Sequence, residues 1–96
     1  MKRIPKQEYT AAFKEQAVAM VKGGKLVPEV ARALGLIEQT LRNWVKAAAQ
    51  GKLHEGAKEV TPEQMELSRL RAENARLKLE VEILKKATAY FAKDAL

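Results

Sequence analysis

Cysteine is absent from the chain, so disulfides and thiolate metal sites are excluded, and the single histidine, His54, cannot alone build a His-based metal centre or a catalytic triad. Aromatic residues make up only 5% of the sequence, too few for a large enclosed core. Long apolar runs are missing too. The longest, Ala17 to Val21, falls far short of the roughly 18 residues a membrane span needs, and the basic start Met1-Lys2-Arg3 is followed by no apolar signal-peptide segment. With 96 residues there is room for one small domain or two modules, which excludes a large enzyme fold. The expectation is a soluble, cytoplasmic binding protein without catalytic residues, cofactor or metal, and without a membrane partner.

What is present in quantity is charge, distributed unevenly. Residues 1–53 carry ten Lys or Arg against four Glu, whereas residues 54–96 carry eight of each sign, so the whole net charge of +6 belongs to the first half. An excess confined to one half points to a polyanion as its partner. Balanced charge in the other half points to ion pairs along helix surfaces.

The first half reads as three short helices. Thr10 can cap a helix whose Phe13, Ala17, Met20 and Val21 form one apolar stripe and which Gly23-Gly24 ends, giving a helix over about 11–22. Pro28 suits the opening turn of a second helix, with Val30, Ala31 and Leu34 facing inward up to Gly35. Leu36 is an apolar plug after the turn; Leu41, Trp44, Val45 and Ala48 then recur at helical spacing in a third helix that Gly51 closes. Small Ala31 where two helices cross, Gly35 to reverse the chain and five apolar groups (Val30, Leu34, Leu36, Leu41, Trp44) to hold the crossing angle together make a helix-turn-helix pattern. Trp44 is expected in the core.

The third helix is the expected recognition helix, its outer face carrying Glu38, Gln39, Arg42, Asn43 and Lys46. Arg grips guanine O6 and N7, Gln and Asn grip adenine N6 and N7, and Glu accepts from cytosine N4, so these are base-reading groups. Lys22, Lys25 and Lys52 are expected on phosphates, which set register and salt dependence without reading bases.

Residues 51–60 hold two glycines and no sustained period and read as a linker, with His54 exposed in it. Thr61, Pro62 and Gln64 form a strong helix start, and no Pro or Gly follows. Along this helix Leu70, Leu77, Leu84 and Phe91 fall seven apart in one row, and Leu67, Asn74, Val81 and Thr88 in the row three residues earlier. Such a seam is a leucine zipper: too narrow to be buried by its own chain, it requires a partner helix. Asn74 within the seam favours a parallel two-stranded register, and Glu66, Glu73 and Glu80 can face Arg71, Lys78 and Lys85 of the partner. A second apolar strip, Ala72, Leu79, Ile83 and Tyr90, lies on the outward face and is expected to pack a further protomer or another domain.

With these residues in place, the chain resembles the first-frame (OrfA-type) helix-turn-helix transposase subunits of bacterial insertion sequences with two overlapping reading frames. The resemblance is carried by Tyr9-Thr10 with Phe13-Lys14, by Glu29 to Gly35, by Gln39 to Trp44, by Glu73 to Leu77 and, most specifically, by Ile83 to Lys93, and it covers nearly the whole chain. It implies binding to terminal inverted repeats as double-stranded DNA, oligomerisation through the zipper and regulation of DNA transposition. It further implies hetero-oligomers with a frameshift fusion product whose downstream domain supplies an acidic catalytic site; here the only Asp is Asp94 and no two-metal carboxylate cluster is apparent. Two positions depart from the family's pattern: Ile37 stands where a polar N-cap such as Ser commonly opens the recognition helix, and Leu26-Val27 where the second helix would also welcome a hydroxyl.

The expected architecture is therefore all-α: a helix-turn-helix DNA-binding domain at 1–50, a linker at 51–60 and a leucine-zipper oligomerisation helix at 61–96. The homo-oligomer is at least a parallel dimer, and the protein is expected to be nucleoid-associated. Two other readings use the same parts, a dimeric helix-turn-helix transcriptional repressor and a coiled-coil adaptor that binds no DNA.

Overall fold

The computed structural model describes residues 4–95; residues 1–3 and 96, at the outer edges of the two expected domains, lie outside the described residues. The fold is all-α, as expected: α1 (Ala11–Lys22), α2 (Val27–Leu34), α3 (Glu38–Ala49) and the long α4 (Pro62–Ala95), with no strand among the described residues. The chain forms two compact units. One is Tyr9–Thr61; the other joins the N-terminal segment, through Glu8, to the helix that starts at Pro62.

In the first unit each helix begins and ends for local chemical reasons. The Thr10 hydroxyl accepts the Phe13 N–H at 3.1 Å and satisfies one of the orphan donors of the first turn of α1. Helix α2 opens at Val27, with Pro28 in its first turn, and closes on Gly35 at φ 69°, ψ 33°. That left-handed conformation costs a side chain with a Cβ about 1–2 kcal/mol. Across it the Leu36 N–H reaches the Ala31 carbonyl at 2.8 Å and the Gly35 N–H the Arg32 carbonyl at 3.4 Å, the paired closure of a Schellman motif. The same two-bond closure ends α1 at Gly24 and α3 at Gly51.

Packing then turns these helices into one body. Ala17, Val30, Ala31, Leu36 and Leu41 form the buried core, with Phe13, Met20, Val21, Leu34, Trp44 and Val45 packed around it. Leu36, the residue before the α3 N-cap, and Leu41, at the fourth helical position, are both in that core, an arrangement that staples the chain's entry angle into α3. Tyr9, Phe13 and Trp44 close one side as an aromatic trio: Tyr9 stacks on Phe13 at 5.4 Å, and Trp44 stands edge-on to both at 5.1 and 6.2 Å. Burial raises the Tyr9 phenol above its ordinary pKa. Trp44 is thus a core residue, as its place in the stripe predicts.

Beyond α3 the segment 51–60 is not featureless. His54 Nε2 lies 2.8 Å from Glu15 Oε1 on α1, and Leu53 is half-buried. Val18, one turn on from Glu15, is buried as well, although it lies outside the stripe read from the sequence. Residues 51–56 therefore contact the helical head, and His54, exposed as expected, also ties this segment to α1.

Helix α4 comprises 34 residues, about 51 Å at 1.5 Å per residue. No described helix is long and apolar enough to cross a membrane.

Leu41 is fully buried at the centre of the head, so Leu41→Ala should destabilise it by about 2–5 kcal/mol in thermal or urea unfolding. At Gly35 a Cβ would meet nothing within 4 Å, so any loss there is backbone strain alone. Gly35→Ala should cost about 1–2 kcal/mol, and Gly35→Asn, which tolerates the left-handed region, distinctly less.

Candidate nucleic-acid interface

Helix α3 divides cleanly into two faces. Leu41 is buried and Trp44 and Val45 pack on the core, whereas Glu38, Gln39, Arg42, Asn43 and Lys46 are all exposed on the other side. The exposed polar groups are ordered by one another. Gln39 Nε2 donates to Asn43 Oδ1 at 2.9 Å, and Arg42 Nη2 to Glu38 Oε2 at 3.3 Å. Both pairs span one helical turn, the spacing at which side chains on a helix surface meet. Each such exposed pair contributes only a few tenths of a kcal/mol, enough to bias rotamers and little to overcome on binding.

The three expected phosphate ligands are exposed and sit at element ends. Lys22 is in the last turn of α1, Lys25 in the turn that follows, and Lys52 immediately after α3. Another cation of the head has a contact that the sequence does not disclose: Lys14 lies with its Nζ 5.9 Å from the Trp44 ring centroid, a cation–π arrangement. Its i+4 relation to Thr10 says nothing of Trp44, which is brought to it only by packing of α3 on α1.

In the second unit the expected oligomerisation residues all lie on α4 and are unburied. Leu67, Leu70, Leu77 and Val81 are 47–49% exposed, and Leu84 and Phe91 64% and 67%. Asn74 and Thr88 in the same seam are exposed as well. The second strip behaves differently along its length: Ala72 is only 5% exposed, Leu79 is half-buried, and Ile83 and Tyr90 are open, with the Tyr90 ring edge-on to Phe91 at 5.7 Å.

One turn before the start of that strip, at Ser68, α4 meets the chain's own N-terminal segment. The Glu8 N–H donates to the Ser68 hydroxyl at 2.9 Å, and the hydroxyl in turn has the Met65 carbonyl at 2.8 Å and the Glu8 carbonyl at 3.3 Å. Ser68 is buried although polar, and Pro5 and Lys6 line a hollow with Gln64, Leu67 and Arg71. Two of the three acids expected to face a partner, Glu66 and Glu73, are engaged within the chain. Arg69 donates to Glu66 at 2.7 and 3.1 Å and to Glu73 at 3.1 Å, and its hydrogen bond holds the Glu66 carboxyl below the usual carboxylate range.

Among the described residues no group of His, Asp or Glu is placed to hold a metal ion.

The architecture defined so far, a three-helix head with a helix-turn-helix at α2–α3 followed by a long helix with an exposed leucine seam, is that of a DNA-binding subunit. The chain belongs to the transposase family with a helix-turn-helix domain, whose match spans residues 3–75. Its relatives come from mobile elements. It is 42% identical over 91 residues to the uncharacterized 11 kDa protein of insertion element IS600 from Shigella sonnei, covering 94% of this chain and 91% of that one. Against the InsN protein for insertion sequence element IS911A from Escherichia coli (strain K12), identity is 39% over 89 residues, with 88% and 66% of the two chains covered. The uncharacterized 12.0 kDa protein of insertion element IS6110 from Mycobacterium tuberculosis (strain ATCC 25177 / H37Ra) is 36% identical over 99 residues, covering 92% and 89%. No solved structure matches the chain. The resemblance read from the motifs is thereby established at the level of the family, and with it a DNA-binding, transposase-related role.

Replacing Ser68 by Ala removes the one side-chain partner of the Glu8 amide. Hydrogen exchange at Glu8 should accelerate by roughly tenfold or less, matching a bond of about 1 kcal/mol, while exchange in α1 to α3 stays unchanged.

Proposed function

We propose that this chain binds the terminal inverted repeats of an insertion sequence as a zipper-linked oligomer and so regulates transposition. The observation that carries this reading is the bare polar face of α3, with Glu38, Gln39, Arg42, Asn43 and Lys46 exposed behind a buried Leu41. In a helix-turn-helix this is the surface that enters the major groove. Arg42 supplies a bidentate donor fork for guanine, Gln39 and Asn43 the donor and acceptor pair that adenine demands, and Glu38 an acceptor for cytosine. Lys46 extends the reading face, while Lys22, Lys25 and Lys52 take phosphates and give the complex its salt dependence.

The second element of the proposal is a parallel homodimer through Leu67, Leu70, Asn74, Leu77, Val81, Leu84, Thr88 and Phe91. Burying that seam against a second copy removes its apolar surface from water, at about 25 cal/mol per Å². Two linked heads make the second DNA contact intramolecular, so its effective concentration rises without any new interaction. Strand cleavage and transfer would be performed by a domain encoded downstream and joined by frameshifting, with which this chain would form mixed oligomers on DNA. The place of action is the cytoplasm, at the nucleoid.

The test is binding of the full-length chain to duplexes bearing the element's ends, at several salt concentrations. Arg42→Ala or Asn43→Ala should each cost about 1–3 kcal/mol on the element's ends and much less on unrelated DNA, so that discrimination falls roughly ten- to hundredfold. Lys25→Ala should weaken binding to all sequences alike and reduce the salt slope by about one unit. Equal affinity of the unaltered chain for the ends and for unrelated duplex would overturn the reading. For the seam, Leu77→Lys should yield monomers in sedimentation equilibrium at concentrations where the parent chain is dimeric, with helix content of the head preserved.

A further inference from the structure

Two helices of the head, α2 and α3, open on an exposed apolar N-cap with no side-chain cap, Leu26 and Ile37, and of the two Ile37 lies on the candidate recognition helix. At 74% exposure it is the most open of the large apolar side chains described, in a unit whose core draws in Val30, Leu36 and Leu41 on either side of it. It occupies the N-cap of α3, and no side chain caps that helix. A Ser, Thr, Asn or Asp there would satisfy one of the free N–H groups of the first turn. Packing does not explain the isoleucine either, because the apolar contact that fixes entry into α3 is already made by its neighbour Leu36 with Leu41. The residue thus forgoes a cap and leaves its side chain in water, immediately beside Glu38 and Gln39 at the end of α3 that points away from Gly51.

We propose that Ile37 is a specificity-determining residue that packs against the C5-methyl group of a thymine in the major groove. The proposal rests on the reading of α3 as the recognition helix. The N-terminal residues of such a helix are those that meet base edges. Of the groups unmodified DNA displays in the major groove, only the thymine methyl is apolar, and none of the exposed polar residues Glu38, Gln39, Arg42, Asn43 and Lys46 offers it a methyl partner. Ile37 supplies the missing complement: a branched apolar group, already ordered at a helix start, whose burial on DNA gains what its exposure in the free protein forgoes. Glu38 and Gln39 beside it would then read the neighbouring bases by hydrogen bonds.

The experiment uses the full-length chain and two variants, Ile37→Ala and Ile37→Ser. A library of randomised duplexes is first selected with the parent chain, and each thymine of the selected site is then replaced singly by deoxyuridine, which removes the methyl and keeps every hydrogen-bonding group. The parent should lose roughly three- to tenfold in affinity at one thymine per half-site, the worth of one or two buried methyl-sized groups. Ile37→Ala should bind the unmodified site more weakly by a similar factor and be indifferent to deoxyuridine at that position. Ile37→Ser should show the same loss of affinity while melting at a temperature equal to or above the parent's, because it gains a cap, which separates lost recognition from lost folding. If every deoxyuridine substitution costs Ile37→Ala as much as it costs the parent, the methyl contact does not exist and the proposal falls while the reading of α3 stands. If the variants change the sedimentation equilibrium instead of the deoxyuridine response, Ile37 is a protein contact and the proposal falls. A parent chain that selects no sequence at all would overturn the recognition-helix reading and this inference together.

Discussion

The head of this protein depends on the reversal at Gly35. Its left-handed backbone lets the Leu36 N–H reach the Ala31 carbonyl at 2.8 Å, and that bond delivers Leu36 into the core next to Leu41. Once those two leucines are inside, the rotation of α3 about its own axis is settled. With Leu41 at the centre and Trp44 and Val45 on the same side, Glu38, Gln39, Arg42, Asn43 and Lys46 have nowhere to be but outside. The exposed face is thus a consequence of the buried one, and α3 needs no interaction of its own polar groups to present them.

Helix α4 obeys the opposite constraint. Its apolar residues repeat every seven positions in two rows, a seam that a 34-residue helix cannot bury on itself. The leucines therefore stay about half exposed. A segment of the same chain reaches α4 at Ser68, which is buried beneath it, and Ala72 one turn on is buried as well. The strip of Ala72, Leu79, Ile83 and Tyr90 is consequently buried at its beginning and open apolar surface toward its end.

How much of this the sequence discloses follows from the range of each interaction. Thr10 capping α1, the glycines closing α1, α2 and α3, and the inward stripe of Leu41 and Trp44 are decided within one or two helical turns, and periodicity with turn chemistry predicts them. The face carried by α3 is legible for the same reason, since it is the complement of the stripe. The tie between His54 and Glu15 joins residues 39 apart, and the bond between Glu8 and Ser68 residues 60 apart. No local pattern encodes either one. Both use common polar side chains whose pairing only the fold reveals: His54 is exposed, as its place in the sequence predicts, and still meets Glu15, whereas Ser68 is buried. The clamp of Arg69 on Glu66 and Glu73 lies within helical reach, but a charge pattern with partners on several faces does not say which pair forms.

The pairs on α3 clarify how the face proposed to read bases can be both ordered and available. Gln39 with Asn43 and Glu38 with Arg42 hold each other's side chains in the free protein through interactions worth a few tenths of a kcal/mol apiece. A bidentate contact to a base edge is worth about 1–3 kcal/mol of discrimination, several times more. The internal pairs are therefore strong enough to reduce the rotamer freedom that binding must remove and too weak to compete with a matching base. A buried or charge-networked arrangement would reverse that inequality and hold these side chains back. The inequality holds because α3 keeps these groups in water, where ion pairs are weak, and that is again the outcome of placing Leu41 and not Arg42 in the core.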